Sequence, residues 1–386
     1  VNYLIIGNGV AGTEAALAIR KSDSDGTITV LTASPHPYYY RPSVIEYLAN
    51  GITRERLIIY KPDFYEKNRV TTLLGTTVGR IVPDKKLVLD SNGREYPYDR
   101  LLLATGADPS LPPIEGASLK GVFTLRGIED ADRIRDCAGN AKRAVVVGGG
   151  LLGLESAHSL AKLGLEVCVV EVCARLLPRQ LDTDGARTLQ RLLEEKGLSF
   201  ALEDGVRAIE GDGSVERVHL KSGRALPADL VLVSAGIRGR SSLARDAGIT
   251  VNNGIVVDDN LRTSEPDIFA AGDPIEHRGK LYGIWPAAKE QGRVVGLNMA
   301  GVTTVYNPTL MAATLKITGI DLYSAGSFDA SGCDVLVSSN DTGYRKLLID
   351  SGLAVGAIAL GDREAVKAAQ RVMDGKGELS EFRRFF

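Results

Sequence analysis

The sequence predicts an α/β chain with two dinucleotide-binding units and a small α+β tail, and three observations carry that prediction. Val1 to Gly12 reads VNYLIIGNGVAG, an apolar run that feeds Gly7, Gly9 and Gly12 and then the helix-forming TEAALAIRK. AVVVGGGLLGLESAHSLAKLG repeats this pattern at Gly148, Gly150 and Gly153. Near the other end, YRKLLID and LAVGAIALGD flank Ser351-Gly352, and REAVKAAQRVMDG follows, so a hairpin and an amphipathic helix are expected from Arg363 to Gly375.

A strand, a G-x-G-x-x-G turn and a helix form a unit that binds a dinucleotide. The first glycine permits the tight turn, the second lets the backbone approach a pyrophosphate, and the third lets the helix pack close to the strand. The helix N-terminus then presents unpaired N–H groups to the phosphates. One such match is weak evidence. Here Gly7, Gly9, Gly12, Glu14, Ala16 and Lys21 match Gly148, Gly150, Gly153, Glu155, Ala157 and Lys162 at one common offset, which indicates an internal duplication.

The copies differ where the second strand ends. A dinucleotide fold wants an acid there to hold a ribose hydroxyl. The second copy has it: LEVCVVE ends in Glu171, which favours NADH over NADPH. Arg175, four residues on, is either a phosphate contact or a surface residue in a turn. After TITVLT the first copy has Thr32, Ala33 and Ser34 instead, whose hydroxyls bond a ribose more weakly.

Composition narrows the function. With 386 residues, 44% hydrophobic and 24% charged, the chain can fill two or three cores. Its 43 glycines suit tight turns and close backbone contacts with ligands. A net charge of −2 gives no whole-chain case for nucleic acid or membrane binding. No leader pattern opens the chain and no apolar run reaches the ~18 residues of a membrane span, so a cytoplasmic protein is expected. The four cysteines include a C-x4-C pair, Cys168 and Cys173. Five residues of strand span roughly 16 Å, too far for a bridge whose Cα atoms lie within ~7 Å. No metal site is assigned.

Between the copies, PHPYYYRPSVIEYLANG is expected to form a shaped loop before a short helix, either a packed aromatic loop or a wall over a cofactor with Arg41 near phosphates. Residues 70–103 supply short strands with a hairpin at Asn92-Gly93. YDRLLLATGADP then gives a buried strand ending in Ala104, Thr105 and Gly106, the small residues a ligand-approach point needs, and prolines lead out of the domain. DLVLVSAGIRGR repeats that ending at Ser234, Ala235 and Gly236. EPDIFAAGD ends in Asp273, a residue that commonly caps a following helix.

GNGVAG, YYRP at 39–42, ATGADP at 104–109, GGGLLGLE at 148–155, SAGIR at 234–238, TSEPDIFAAGD at 263–273 and WPAAKEQGRVVGLNMAG at 285–301 together resemble one family. It is the two-dinucleotide-binding flavoproteins related to glutathione reductase, closest to the NADH:rubredoxin reductase and nitrite reductase flavin-domain branch. The resemblance implies two Rossmann-like domains: a discontinuous FAD domain at 1–112 and 237–304, and an NAD(P)H domain at 113–236. A small C-terminal domain at 305–386 completes the expected order. It implies that Gly7, Gly9 and Gly12 cradle the FAD pyrophosphate, with Ala104, Thr105 and Gly106 along it. Arg41, Pro42, Val78 and Arg126 match positions on the flavin nucleotide, Asp273 the acid on the ribityl chain, and Trp285 a place near the ring. Gly148, Gly150, Leu151, Leu152, Gly153, Glu155, Glu171 and Gly236 match the nicotinamide nucleotide side.

Absences set the branch. Thiol-using relatives carry a cysteine after the second strand, and Ser34 to Gly51 has none. Ferredoxin reductases often place a lysine after Arg-Pro, paired with the glutamate matching Glu155; here Glu46 falls near that place. Two carboxylates near a flavin repel, so Glu46 and Glu155 are the expected catalytic pair and should make flavin reduction depend on pH. The expectation is an FAD-dependent NADH oxidoreductase that feeds a small redox protein such as rubredoxin. The alternatives are a cysteine-independent NADH oxidase using oxygen, and a flavin subunit that needs a partner chain. Arg383 to Phe386 is read as a frayed tail, with an acidic-partner contact as the other possibility. Oligomeric state stays open.

Overall fold

The computed structural model describes residues 1–315 and 317–386. The chain forms two compact units, one of Val1–Ser43, Ile52–Asp108 and Ile237–Thr309, the other of Val44–Gly51, Pro109–Gly236 and Leu310–Phe386.

The first unit is built on a five-stranded sheet in the order Ile268–Ala270, Arg100–Leu103, Asn2–Ile6, Thr27–Leu31, Val70–Leu73. Every neighbouring pair is parallel. Strands covered on both faces read as continuous apolar runs rather than alternating ones. That is why LIIG and RLLLATG look as they do: Leu4, Ile5, Leu101, Leu102 and Leu103 are all buried. The helix Val10–Ser22 crosses from the first strand to Thr27–Leu31. A three-stranded antiparallel sheet, Val78–Val82, Leu87–Asp90 and Glu95–Pro97, follows. Its expected turn at Asn92-Gly93 is present, with Gly93 at φ +81° and the Asp90 carboxylate accepting from the N–H groups of Asn92 and Arg94.

The second unit repeats the design. Its parallel sheet runs Leu198–Ala201, Glu166–Val170, Arg143–Val147, Leu230–Val233, Val122–Thr124. The helix Leu151–Lys162 follows the central strand, and a second three-stranded antiparallel sheet covers Val206–Pro227. The short helix Val44–Leu48 also belongs here. Tyr47 donates to Asp132 at 2.6 Å, and the Ser159 hydroxyl donates to the Ile45 carbonyl at 3.3 Å.

The C-terminal part is a five-stranded antiparallel sheet in which Gly343–Asp350 and Leu353–Leu360 make the expected hairpin. The helix Arg363–Met373 covers it, capped by Asp362, whose carboxylate accepts from the N–H groups of Glu364 and Ala365. The expected fraying of Arg383 to Phe386 does not occur. A short helix, Leu379–Arg383, buries Phe382, and the Phe386 ring packs edge-on against it at 5.2 Å. The apolar residues among the arginines anchor the segment. Among the described residues no helix is long and apolar enough to cross a membrane.

Candidate functional site

In a parallel sheet the ligand crevice lies beyond the C-terminal strand ends, where the strand order reverses. In the first unit that point lies between Asn2–Ile6 and Arg100–Leu103. The two loops leaving these strands almost touch. Gly7 has φ +113°, and a Cβ there would sit 2.1 Å from the Ala104 carbonyl oxygen. A Cβ on Gly12 would sit 2.0 Å from the Gly7 oxygen. These two glycines are therefore consumed by the protein's own packing. Gly9 and Gly106 are not: a Cβ on either would have no protein atom within 4 Å. Gly9 is the N-cap of helix Val10–Ser22 and supplies no side-chain cap, so nothing in its own side chain satisfies the helix's first N–H groups. An open, donor-lined, uncapped helix start is what an anionic diphosphate fits.

The second unit has the same cradle. Gly148 has φ +117° with a Cβ position 2.3 Å from the Ser234 oxygen, and Gly153 lies 2.0 Å from the Gly148 oxygen by the same measure. Gly150 caps Leu151–Lys162 without a side-chain bond, and Gly150 and Gly236 again face open space. Leu151 and Leu152 form the first turn of that helix, Leu152 exposed. Both cradles thus fit a dinucleotide.

Each turn is braced differently, and the brace is where the missing acid matters. In the second unit the buried Glu171 accepts from Gly149 N–H at 2.6 Å and from Cys173 N–H at 2.8 Å. A side chain on Gly149 would collide with Leu176 and Glu171. Arg175 is held by the carbonyl oxygens of Leu181 and Pro178 at 3.1 and 3.2 Å. In the first unit the place of Gly149 is taken by Asn8, whose amide donates to the Tyr65 hydroxyl at 2.9 Å and whose oxygen accepts from Thr13. Tyr65 in turn accepts from Tyr38 N–H. The Thr32 and Ser34 hydroxyls close the following turn by accepting from Ser34 and His36 N–H groups.

The remaining expected residues fall as follows. Trp285 opens the helix Trp285–Met299, edge-on to Tyr40 at 5.2 Å, with the Lys289 ammonium 5.3 Å over its ring. The Arg41 guanidinium stands 5.7 Å from the Tyr39 ring centroid, and Pro42 continues the same single helical turn. Val78 is partly buried against the core of the first unit. Arg126 lies in the second unit, where its N–H and that of Gly127 meet the Asp130 carboxylate. Asp273 caps no helix, because the next element is the short strand Ile275–His277. Thr105 donates its hydroxyl to the Arg240 carbonyl at 2.7 Å. Glu155 is half-buried on Leu151–Lys162, and Glu46 is exposed on Val44–Leu48, the helix bonded to it through Ser159.

Sequence reasoning missed Asn8, Tyr65 and Gln291. Asn8 was visible inside GNG and Gln291 inside WPAAKEQG, neither with a role attached; Tyr65 had no motif to mark it.

All four cysteines are free, and all lie in the second unit. Burial pushes the Cys137 and Cys168 thiols up, and the Glu171 carboxylate beside Cys173 does the same there. Raised thiols are poor nucleophiles at neutral pH. Among the described residues no cluster could hold a metal ion.

Residues 1–292 match the family described as pyridine nucleotide-disulphide oxidoreductase, and residues 312–376 match the rubredoxin NAD+ reductase C-terminal domain. The chain is 35% identical over 98% of its length to nitrite reductase [NAD(P)H] of Bacillus subtilis, but spans only 48% of that protein. It is 33% identical to rubredoxin-NAD(+) reductase of Pseudomonas putida, covering 88% of this chain and 90% of that one. A solved putidaredoxin reductase–putidaredoxin complex superposes with a TM-score of 0.86 at 29% identity, over 97% of this chain and 93% of that one. With two equivalent cradles and a match over 1–292, the chain belongs to the pyridine nucleotide-disulphide oxidoreductase family, enzymes that use FAD and NADH.

Proposed function

We propose that this chain passes electrons from NADH through FAD to a small redox protein such as rubredoxin, with no thiol of its own in the path. The distribution of cysteine carries this reading. The unit with the first cradle contains none, and in the second unit burial raises the Cys137 and Cys168 thiols and the Glu171 carboxylate raises that of Cys173. Bound FAD supplies a group that takes up a hydride and releases electrons singly, and the chain supplies binding, orientation and electrostatics.

Gly9 and Gly106 leave room for the FAD diphosphate at the uncapped start of helix Val10–Ser22, while Gly7, Gly12, Ala104 and Thr105 shape the turn around it. Asp273 accepts from the ribityl hydroxyls, and Trp285 with Tyr40 forms an apolar wall by the ring. Arg41, Pro42 and Val78 complete the flavin nucleotide contacts. At the second cradle the remaining lone pairs of Glu171 take the ribose hydroxyls and repel a 2′-phosphate. The Arg175 guanidinium is engaged by the Leu181 and Pro178 carbonyls. Glu46 and Glu155 set the charge that flavin reduction meets.

An anaerobic acceptor panel tests the reading. The purified protein is expected to be yellow, to bleach with NADH, and to reduce rubredoxin much faster than it consumes oxygen. Faster oxygen consumption would make it an oxidase. A second reading, a flavin unit that works with a further chain or domain, is favoured by the match to half of a longer relative. Rapid bleaching with no turnover on any acceptor would support that one.

A further inference from the structure

One buried side chain ties the end of the first unit's last sheet strand to the helix Trp285–Met299, which packs on the cradle helix Val10–Ser22. Gln291 is fully buried on Trp285–Met299. Its Oε1 accepts from the Gly272 N–H at 2.8 Å, and its Nε2 donates to the Tyr306 hydroxyl at 3.1 Å. Tyr306 is itself fully buried, shares a 2.8 Å bond with Thr309, and packs edge-on to His277 and Tyr282. His277 is bonded to Asp259, which pairs with Arg278. Both ends of the glutamine amide are therefore fixed, so its oxygen is oriented toward Gly272 rather than free to flip.

The same helix grips the cradle directly. Beside Gln291, Gly292 brings its backbone so close that a Cβ would stand 2.4 Å from the Ala11 oxygen, and Gly296 repeats this at 2.5 Å from the Ala15 oxygen. Ala11 and Ala15 belong to the helix that starts at Gly9. Gly272 has φ +89°, a backbone state open to glycine, and its Cβ position is 3.2 Å from the Ala11 side chain. Backbone at 272–273 and the cradle helix are thus held in one register by one element.

We infer that Gln291 is a positioning residue for FAD: by holding the Gly272 N–H it fixes where the Asp273 carboxylate stands relative to the Gly9 cradle. This rests on the reading of the first cradle as the FAD site. Without the glutamine oxygen the buried Gly272 N–H has no partner, and the turn must shift to find one.

The test compares Gln291→Met, which keeps the volume and removes both bonds, with Gln291→Glu, whose carboxylate still accepts from Gly272. FAD and NAD+ dissociation constants and the flavin absorption spectrum are read for each. Gln291→Met is expected to weaken FAD binding about tenfold, the scale of one lost buried hydrogen bond. It should also shift the flavin band while leaving NAD+ affinity unchanged, and Gln291→Glu should restore most of the FAD affinity. Wild-type FAD affinity in Gln291→Met, or equal losses in the two variants, overturns the inference. If Gln291→Met does not fold, Gln291→Asn takes its place: it keeps the amide but shortens its reach to the Gly272 N–H by one methylene, and an unchanged FAD affinity and spectrum there overturns the inference. Failure of the wild-type protein to bind FAD would instead sink the underlying reading of the site.

Discussion

Glycines that look alike in the sequence do two different jobs here. Gly7 and Gly12 meet backbone oxygens, whereas Gly9 meets nothing. Gly7→Ala and Gly12→Ala are therefore expected to abolish soluble, folded protein. Gly9→Ala should fold with a loss of no more than about 1 kcal/mol at the helix cap, yet bind FAD about tenfold more weakly. Thermal melts with and without FAD separate the two outcomes. Glu171 is the matching residue in the second cradle. Glu171→Gln keeps one acceptor but turns an amide toward an N–H, so KM for NADH should rise about tenfold or more while FAD content stays at the wild-type level. At this scale the sequence displayed the motif positions but not their braces. Asn8, Tyr65 and Gln291 work through contacts 57, 57 and 19 residues away in the chain, which no local pattern records.

Elements were legible where one period dominated. The apolar runs before each glycine turn became central parallel strands, and the alternating tail became a hairpin under a helix. Close helix packing left a fainter trace, the G-x-x-x-G of Gly292 and Gly296 set against Ala11 and Ala15. Gly292→Ala should cost about 1–3 kcal/mol of overpacking, measured by urea unfolding. Asp182 shows how an element is fastened within the second unit. It caps Thr183–Glu194 through the Gly185 N–H and accepts from the Tyr344 hydroxyl at 2.6 Å and the Lys346 ammonium at 2.9 Å. Burial pushes its carboxyl up, but those three partners outweigh burial and hold it below the usual range. A carboxyl lowered in the folded state stabilises above its unfolded value of about 4 and loses that contribution as pH falls through the folded one. Asp182→Asn should therefore cost about 1–2 kcal/mol at pH 7 and flatten the loss of stability below about pH 4. Urea titrations at both pH values check it.

Across the whole molecule, duplication made the fold readable: two copies of one motif at one offset became two five-stranded parallel sheets that share the order of four strands, the fifth being Ile268–Ala270 from later in the chain in the first and Val122–Thr124 from earlier in the chain in the second. What the duplication could not show is which acceptor takes the electrons, since a docking surface leaves no spacing in the chain. In the proposed function, electrons leave without passing through a protein thiol. Replacing Cys137, Cys168, Cys173 and Cys333 with alanine and measuring NADH-driven rubredoxin reduction under anaerobic conditions tests it most directly. The cysteine-free protein is expected to retain FAD and to reduce rubredoxin at the wild-type rate. A folded, FAD-loaded variant in which NADH still bleaches the flavin but rubredoxin reduction is lost would contradict it.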